Sequence, residues 1–152
     1  MPVAQATPEL SIVVPVYNEV DSLGPLHDQL TDSLQSLARP YEIVFVDDGS
    51  KDGSAERLDA LADADPHVQV IHFRKNFGKS PALNAAFERV RGQIVITLDA
   101  DLQDDPAMIP DFVRRIELES HLSPTRSNGL SAMIQQIRQM AVEALAMAHR
   151  AS

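Results

Sequence analysis

The sequence predicts an α/β domain: a doubly wound, mainly parallel sheet with strand order 3-2-1-4, followed by a C-terminal amphipathic helix. Three observations carry the prediction. Four short apolar runs, rich in Val and Ile, are near-continuous rather than alternating, as strands are when helices cover both faces of a parallel sheet. Segments with apolar residues at helical spacing lie between them. The alternation of the two implies right-handed crossovers between parallel neighbours. Composition agrees: of 152 residues, 44% are hydrophobic and 23% charged, which excludes wholesale disorder and fibrous repeats. A chain of this length buries about 70% of its unfolded surface, enough for a core without covalent staples.

The strands are expected at Leu10 to Val16, Tyr41 to Val46, Val68 to Phe73 and Ile94 to Leu98. The first helix is expected over about Ser22 to Leu37, where Leu23, Leu26, Leu30, Leu34 and Leu37 recur on one side. The second covers about Ser54 to Ala64, with Leu58 and Leu61 inward. The third covers about Pro81 to Val90, with Ser80 as N-cap and Pro81 in the first turn. The fourth starts after Asp105-Pro106, the same signal again, and runs to about Glu119. Residues 1–119 are thus read as the domain. Residues 120–129, rich in Ser, Pro, Asn and Gly, read as a linker. Residues 130–150 read as an amphipathic helix with Leu130, Met133, Ile134, Ile137 and Met140 on one stripe.

Charge divides the chain at the same place. Residues 1–119 hold 21 acids against 10 Lys and Arg, whereas 120–152 hold one acid, Glu143, against three arginines. The net charge of -9 argues against nucleic acid as a partner. The chain has no cysteine, which excludes a disulfide framework, a thiolate zinc site and a cysteine nucleophile. No apolar stretch approaches the ~20 residues that span a bilayer. Met1 to Leu10 has neither the basic nor the apolar region of a signal peptide. The expected location is therefore the cytoplasm.

In doubly wound sheets ligands bind beyond the carboxyl ends of the strands, so the segments after each strand are where chemistry is sought. The run Asp99-Ala100-Asp101-Leu102-Gln103 is the most informative. On an extended chain Asp99 and Asp101 point the same way, about 6–7 Å apart. There they can converge on one hard cation, Mg2+ or Mn2+, that also takes oxygens from a substrate phosphate. Gln103 can add a neutral oxygen or hold a water. The same acids can instead be helix-start acceptors, the reading that suits Asp104 and Asp105 beside Pro106.

Three further segments complete the pattern. In Asp47-Asp48-Gly49-Ser50 a carboxylate can accept from a base N–H or a ribose hydroxyl; alternatively the segment is a plain turn followed by Asp52 as N-cap. The run Arg74 to Pro81 is the basic cluster of the acidic part and leads into a helix N-terminus, where an anion is favoured. Arg74 and Lys79 can neutralise a diphosphate there, or they form a solvated basic turn; the Walker spacing is absent. In Pro15-Val16-Tyr17-Asn18-Glu19, Tyr17 offers a flat face for a base or packs as an ordinary aromatic, and Asn18 and Glu19 offer polar contacts. The histidines (His27, His67, His72, His121, His149) lack ligand spacing and read as structural or exposed. Together these segments describe the pocket of a nucleotide-diphosphate ligand.

The runs Ser11 to Glu19, Val46 to Ser50, Arg74 to Lys79 and Leu98 to Pro106 resemble, in order, motifs of glycosyltransferase family 2 and its GT-A nucleotide-sugar-binding half. The flavour is that of the polyprenyl-phosphate glycosyltransferases, including dolichol-phosphate mannosyltransferase. The resemblance covers about residues 10–116. It implies a metal-dependent hexosyltransferase of cell-envelope glycan synthesis, with Asp99, Asp101 and Gln103 handling Mg2+ or Mn2+. It implies that Pro15, Tyr17, Glu19 and Asp47 surround the base and ribose, and that Arg74 and Lys79 lie toward the diphosphate. The donor would be a UDP- or GDP-sugar and the acceptor a polyprenyl phosphate at a membrane surface. No residue stands out as a catalytic base, and a phosphate acceptor, already anionic, makes a strong one less necessary.

Members of the family continue with further strands and an acceptor-binding region, whereas Leu118 onward shows no strand pattern. The alternative is therefore a truncated, non-catalytic module that binds nucleotide-sugar or oligomerises. In the order 3-2-1-4 the fourth strand stands at an open edge, a liability, and the tail helix is expected to cover that edge or the sheet face, or to pair with a second copy of the chain. Two other classes compete. One is another metal-dependent enzyme such as a nucleotidyltransferase. The other is a response-regulator receiver, although a receiver carries its acid pair after the first strand and here the pair follows the second.

Overall fold

A computed structural model describes residues 6–122. The expected linker beyond residue 122, the helix at 130–150 and any oligomer built on it lie outside the described residues. Strands β1 (Leu10–Val16), β2 (Tyr41–Asp47), β3 (Val68–His72) and β4 (Ile94–Thr97) alternate with helices α1 (Val20–Ser36), α2 (Ser54–Ala64) and α3 (Lys79–Phe87). A 3-10 turn at Pro106–Met108 leads into α4 (Ile109–Leu122). The sheet has the order β3-β2-β1-β4 with every pairing parallel, as the sequence predicts. Among the described residues β4 pairs with β1 alone.

Strand periodicity divides the core in two. Leu10, Ile12, Val14 and Val16 of β1 face Leu23, Leu26, Leu30 and Leu34 of α1, Leu58 of α2, and Ile109 and Val113 of α4. Val13, Val44, Val46 and Val95 form the other face and meet Ala82 and Ala86 of α3. Each fully buried Leu or Ile contributes up to about 1.5–3 kcal/mol, so the α1 face holds most of the hydrophobic stabilisation.

The amino end of the sheet is held by a buried polar network. Glu42, 1% exposed, accepts from Ser11 Oγ at 2.7 Å and from the Arg91 N–H at 2.7 Å. Ser11 Oγ in turn accepts from the Gly92 N–H at 2.8 Å. A Cβ on Gly92 would stand 2.5 Å from Ser11 Oγ and 2.8 Å from the Leu10 carbonyl carbon. With all those donors in place the buried carboxylate is satisfied, and burial without them would cost several kcal/mol.

Several element ends differ from expectation. α3 begins at Lys79, not at Pro81, and its N-cap position is Gly78 (φ 100°) rather than Ser80. The reason is not local: Asp48, from another loop, accepts the Gly78 N–H at 3.0 Å. At α2 the cap position is Gly53 (φ 97°). Asp52 sits one residue earlier and accepts from Ser54 N–H and Oγ at 3.0 and 2.6 Å. β4 stops at Thr97, and residues 120–122, assigned to the linker from sequence, continue α4. Asp105 does cap as expected, its Oδ1 accepting the Ala107 N–H at 2.9 Å beside Pro106.

Candidate functional site

The carboxyl ends of β1, β2 and β4 and the start of α3 surround a cleft of about 290 Å³. Its lining comes from four segments. β1 and the residues after it supply Pro15, Val16, Tyr17 and Glu19, and the β2–α2 loop supplies Asp48. Asn76, Gly78 and Lys79 come from the segment entering α3, and Asp99, Ala100 and Asp101 from the segment after β4. Six of the sequence-selected residues line it, Pro15, Tyr17, Glu19, Lys79, Asp99 and Asp101, from three separate segments, whereas Asp47, Arg74 and Gln103 lie outside the lining. Tyr17 is 47% exposed.

The loops after β1 and β2 are bonded to one another. Asn18, at φ 52°, receives the Lys51 N–H on its Oδ1 at 2.9 Å and donates its own N–H to Ser50 Oγ at 2.9 Å. The Glu19 N–H donates to Ser54 Oγ at 3.0 Å, and the Val20 N–H to Asp52 Oδ2 at 3.2 Å. Asp48 spends both carboxylate oxygens on the N–H groups of Phe77 and Gly78, at 2.8 and 3.0 Å. Asp47, the residue chosen from sequence, is also buried. Its Oδ1 accepts the Ser50 N–H at 3.0 Å and its Oδ2 faces His72 Nδ1 at 3.1 Å. Of this pair it is Asp48 that lines the cleft. Between these loops Gly49 (φ 74°) leaves no room for a side chain, since a Cβ would stand 2.4 Å from the Lys75 carbonyl carbon.

Lys79 Nζ rests on Asp99 Oδ1 at 2.5 Å, which places a cation against the first of the two carboxylates. Arg74 lies earlier on the same basic loop and is exposed. Beyond it Phe77, 52% exposed, packs edge-on to Phe73 at 5.6 Å. After β4 the chain does not stay extended; it turns at Ala100 and Asp101, with Leu102 at φ 62°. The strand-spacing argument for Asp99 and Asp101 is therefore replaced by a turn, and the turn still brings both to the cleft. Asp101 Oδ1 accepts the backbone N–H of Gln103 at 3.1 Å, and Asp104 accepts the Asp99 N–H at 3.2 Å. Gln103 is exposed.

These donors fit a hard divalent ion. Among the described residues no group of three or more His, Cys, Asp or Glu stands ready to cage a metal. Magnesium-like ions are usually held otherwise, by one or two carboxylates, waters and substrate phosphates. Asp99 and Asp101, at the open mouth, would supply the carboxylates of such a set, and Lys79 Nζ already stands against Asp99.

One group beside the site, His72, reads from sequence only as structural or exposed. His72 ends β3 opposite Asp47 in the sheet register, and its Nε2 lies 2.7 Å from Asp59 Oδ1 of α2. Burial lowers its pKa, but hydrogen bonds to Asp59 and Asp47 outweigh burial and raise it above the usual 6.5. The signal was the register, which places residues 47 and 72 side by side although they are far apart in the chain.

Fold and cleft together define an α/β domain of the GT-A type. The chain belongs to glycosyl transferase family 2, whose family model matches residues 11–128. It is 47% identical over 110 residues to the undecaprenyl-phosphate 4-deoxy-4-formamido-L-arabinose transferase of Yersinia pestis, covering 72% of this chain and 34% of that one. It thus spans about a third of the length of the curated relatives it matches. The mannosyltransferase PcManGT from Pyrobaculum calidifontis, solved with GDP-Man and Mn2+, superposes with a TM-score of 0.50 and 31% identity over 63% of this chain and 28% of that one. TarS 1-349 of S. aureus, solved with UDP-GlcNAc, gives 0.51 and 25% over 74% and 32%. No helix of the described residues is long and apolar enough to cross a membrane.

Proposed function

We propose that the cleft binds a nucleoside-diphosphate sugar together with Mg2+ or Mn2+, as the donor half of a transferase that passes the sugar to a polyprenyl phosphate. The observation that carries the reading is the meeting of Tyr17, Lys79, Asp99 and Asp101 around one cleft. Pro15, Tyr17 and Glu19 serve the base and ribose, with Asp48 holding the wall of the cleft; Asp47, chosen for the ribose from sequence, is buried against Ser50 and His72 and lies outside the lining. Lys79 and Arg74 serve the diphosphate. Asp99 and Asp101, helped by Gln103, hold the metal, which when bound supplies positive charge to the departing diphosphate. The relatives' names support the polyprenyl-phosphate acceptor, and the neighbours solved with GDP-Man and UDP-GlcNAc support the donor class. With such an acceptor the work of the protein falls in the cytoplasm, at the membrane surface.

Calorimetry with GDP-mannose and UDP-GlcNAc, each with and without Mn2+, tests the reading. Binding of one of them that needs the metal and is lost in Asp101→Ala is expected. No binding, or binding indifferent to Asp101→Ala, refutes the site. Turnover with a lipid-phosphate acceptor then separates a transferase from a module that only binds nucleotide-sugar.

A further inference from the structure

We infer that His72 is a positioning residue for the nucleotide: its doubly protonated ring, held between Asp47 and Asp59, fixes the loop that carries Asp48, so sugar-nucleotide affinity follows its proton. The inference rests on the nucleotide reading of the cleft. Both ring nitrogens face carboxylate oxygens, Nδ1 at 3.1 Å from Asp47 and Nε2 at 2.7 Å from Asp59. Only the imidazolium carries an N–H on each side. The charged groups facing the ring are Asp47 from β2 and Asp59 from α2.

The two partners respond differently to loss of the proton. Asp59 is 63% exposed and can turn to water. Asp47 is 3% exposed and cannot, so the neutral ring keeps its one N–H on Nδ1 for Asp47, and Asp47 loses the positive charge beside it while its own charge stays buried. The consequence travels along named bonds. Asp47 Oδ1 holds the Ser50 N–H. Within that turn Asp48 holds the Phe77 and Gly78 N–H groups, and Gly49 wedges against Lys75 and Asn76. Asn76, Gly78 and Lys79 line the cleft. The His72 proton therefore bears on the diphosphate side of the site without His72 being part of its lining.

The test measures Kd for GDP-mannose and UDP-GlcNAc with Mn2+ on the full chain across the histidine range, about pH 5 to 9, while NMR follows the His72 ring. Sugar nucleotides are chosen because their diphosphate has no group titrating there. Affinity is expected to fall about tenfold as pH rises through the His72 midpoint. Linkage is reciprocal, so saturating sugar nucleotide raises that midpoint. Asp59→Asn lowers the midpoint and leaves low-pH affinity unchanged. His72→Phe gives a flat profile at the weak limit. A flat wild-type profile, or one that survives His72→Phe, overturns the inference and leaves the nucleotide reading standing. If neither sugar nucleotide binds at any pH, the nucleotide reading falls and the affinity claim falls with it. Amide resonances of Ser50 and Gly78 in the free protein must also shift with the His72 midpoint, and their failure to do so likewise overturns the inference.

Discussion

After β2 the chain places Asp47, Asp48 and Asp52 where backbone N–H groups, a serine hydroxyl and His72 take up their oxygens. After β4 it places Asp99 and Asp101 where Lys79 and one N–H face them. By composition the two loops are alike. By hydrogen bonding they are opposites, because an ionised carboxylate has about four acceptor positions and only the second loop leaves most of them open. The first loop is architecture that shapes the cleft, and the second is the part available to a ligand. The comparison teaches that acidity alone does not mark a metal site; the count of donors already engaged does.

Substitutions should separate the loops by their effect on stability. Gly49→Ala, in the first loop, is expected to do most damage, because positive φ and a Cβ against backbone act together. The loss should be about 4 kcal/mol in chemical denaturation, and a loss under half that would mean the 75–76 backbone gives way. Asp48→Ala strands the Phe77 and Gly78 N–H groups and should cost about 2 kcal/mol, with faster hydrogen exchange at the start of α3. Asp52 comes next. The Ser54 hydroxyl, chiefly, holds its pKa below the ordinary carboxylate value, with the Ser54 and Val20 N–H groups adding to it. Its contribution to stability is therefore present above the unfolded pKa and lost as pH falls through the folded one. Asp52→Asn should flatten the acid limb of a Tm-versus-pH curve. In the second loop Asp101→Ala should leave stability within about 0.5 kcal/mol, though it abolishes metal-dependent binding. A large loss of stability at Asp101 would erase the distinction between the loops.

The strands were legible because their apolar runs are uninterrupted; β1 falls at Leu10–Val16 as read. The same uniformity hid which of Asp47 and Asp48 faces the cleft, since every residue of β2 is buried and no alternation distinguishes the faces. The start of α3 was misplaced because the group that satisfies Gly78 belongs to Asp48, thirty residues away in the chain. The turn after β4 escaped notice because Leu102, a residue with no left-handed preference, takes the positive φ. His72 gained meaning only through sheet register.

The Glu42–Ser11–Gly92 network at the far end of the sheet works as a ruler. Ser11 is pegged between a buried acid and a glycine too crowded for any side chain, so β1 cannot slide by a residue without swapping Leu10, Ile12, Val14 and Val16 to the wrong face. Tyr17 stands six positions from that peg. How far its ring projects over the opening is thus measured from the opposite pole of the domain, and a change at Ser11 would be felt at the mouth as a shift in reach.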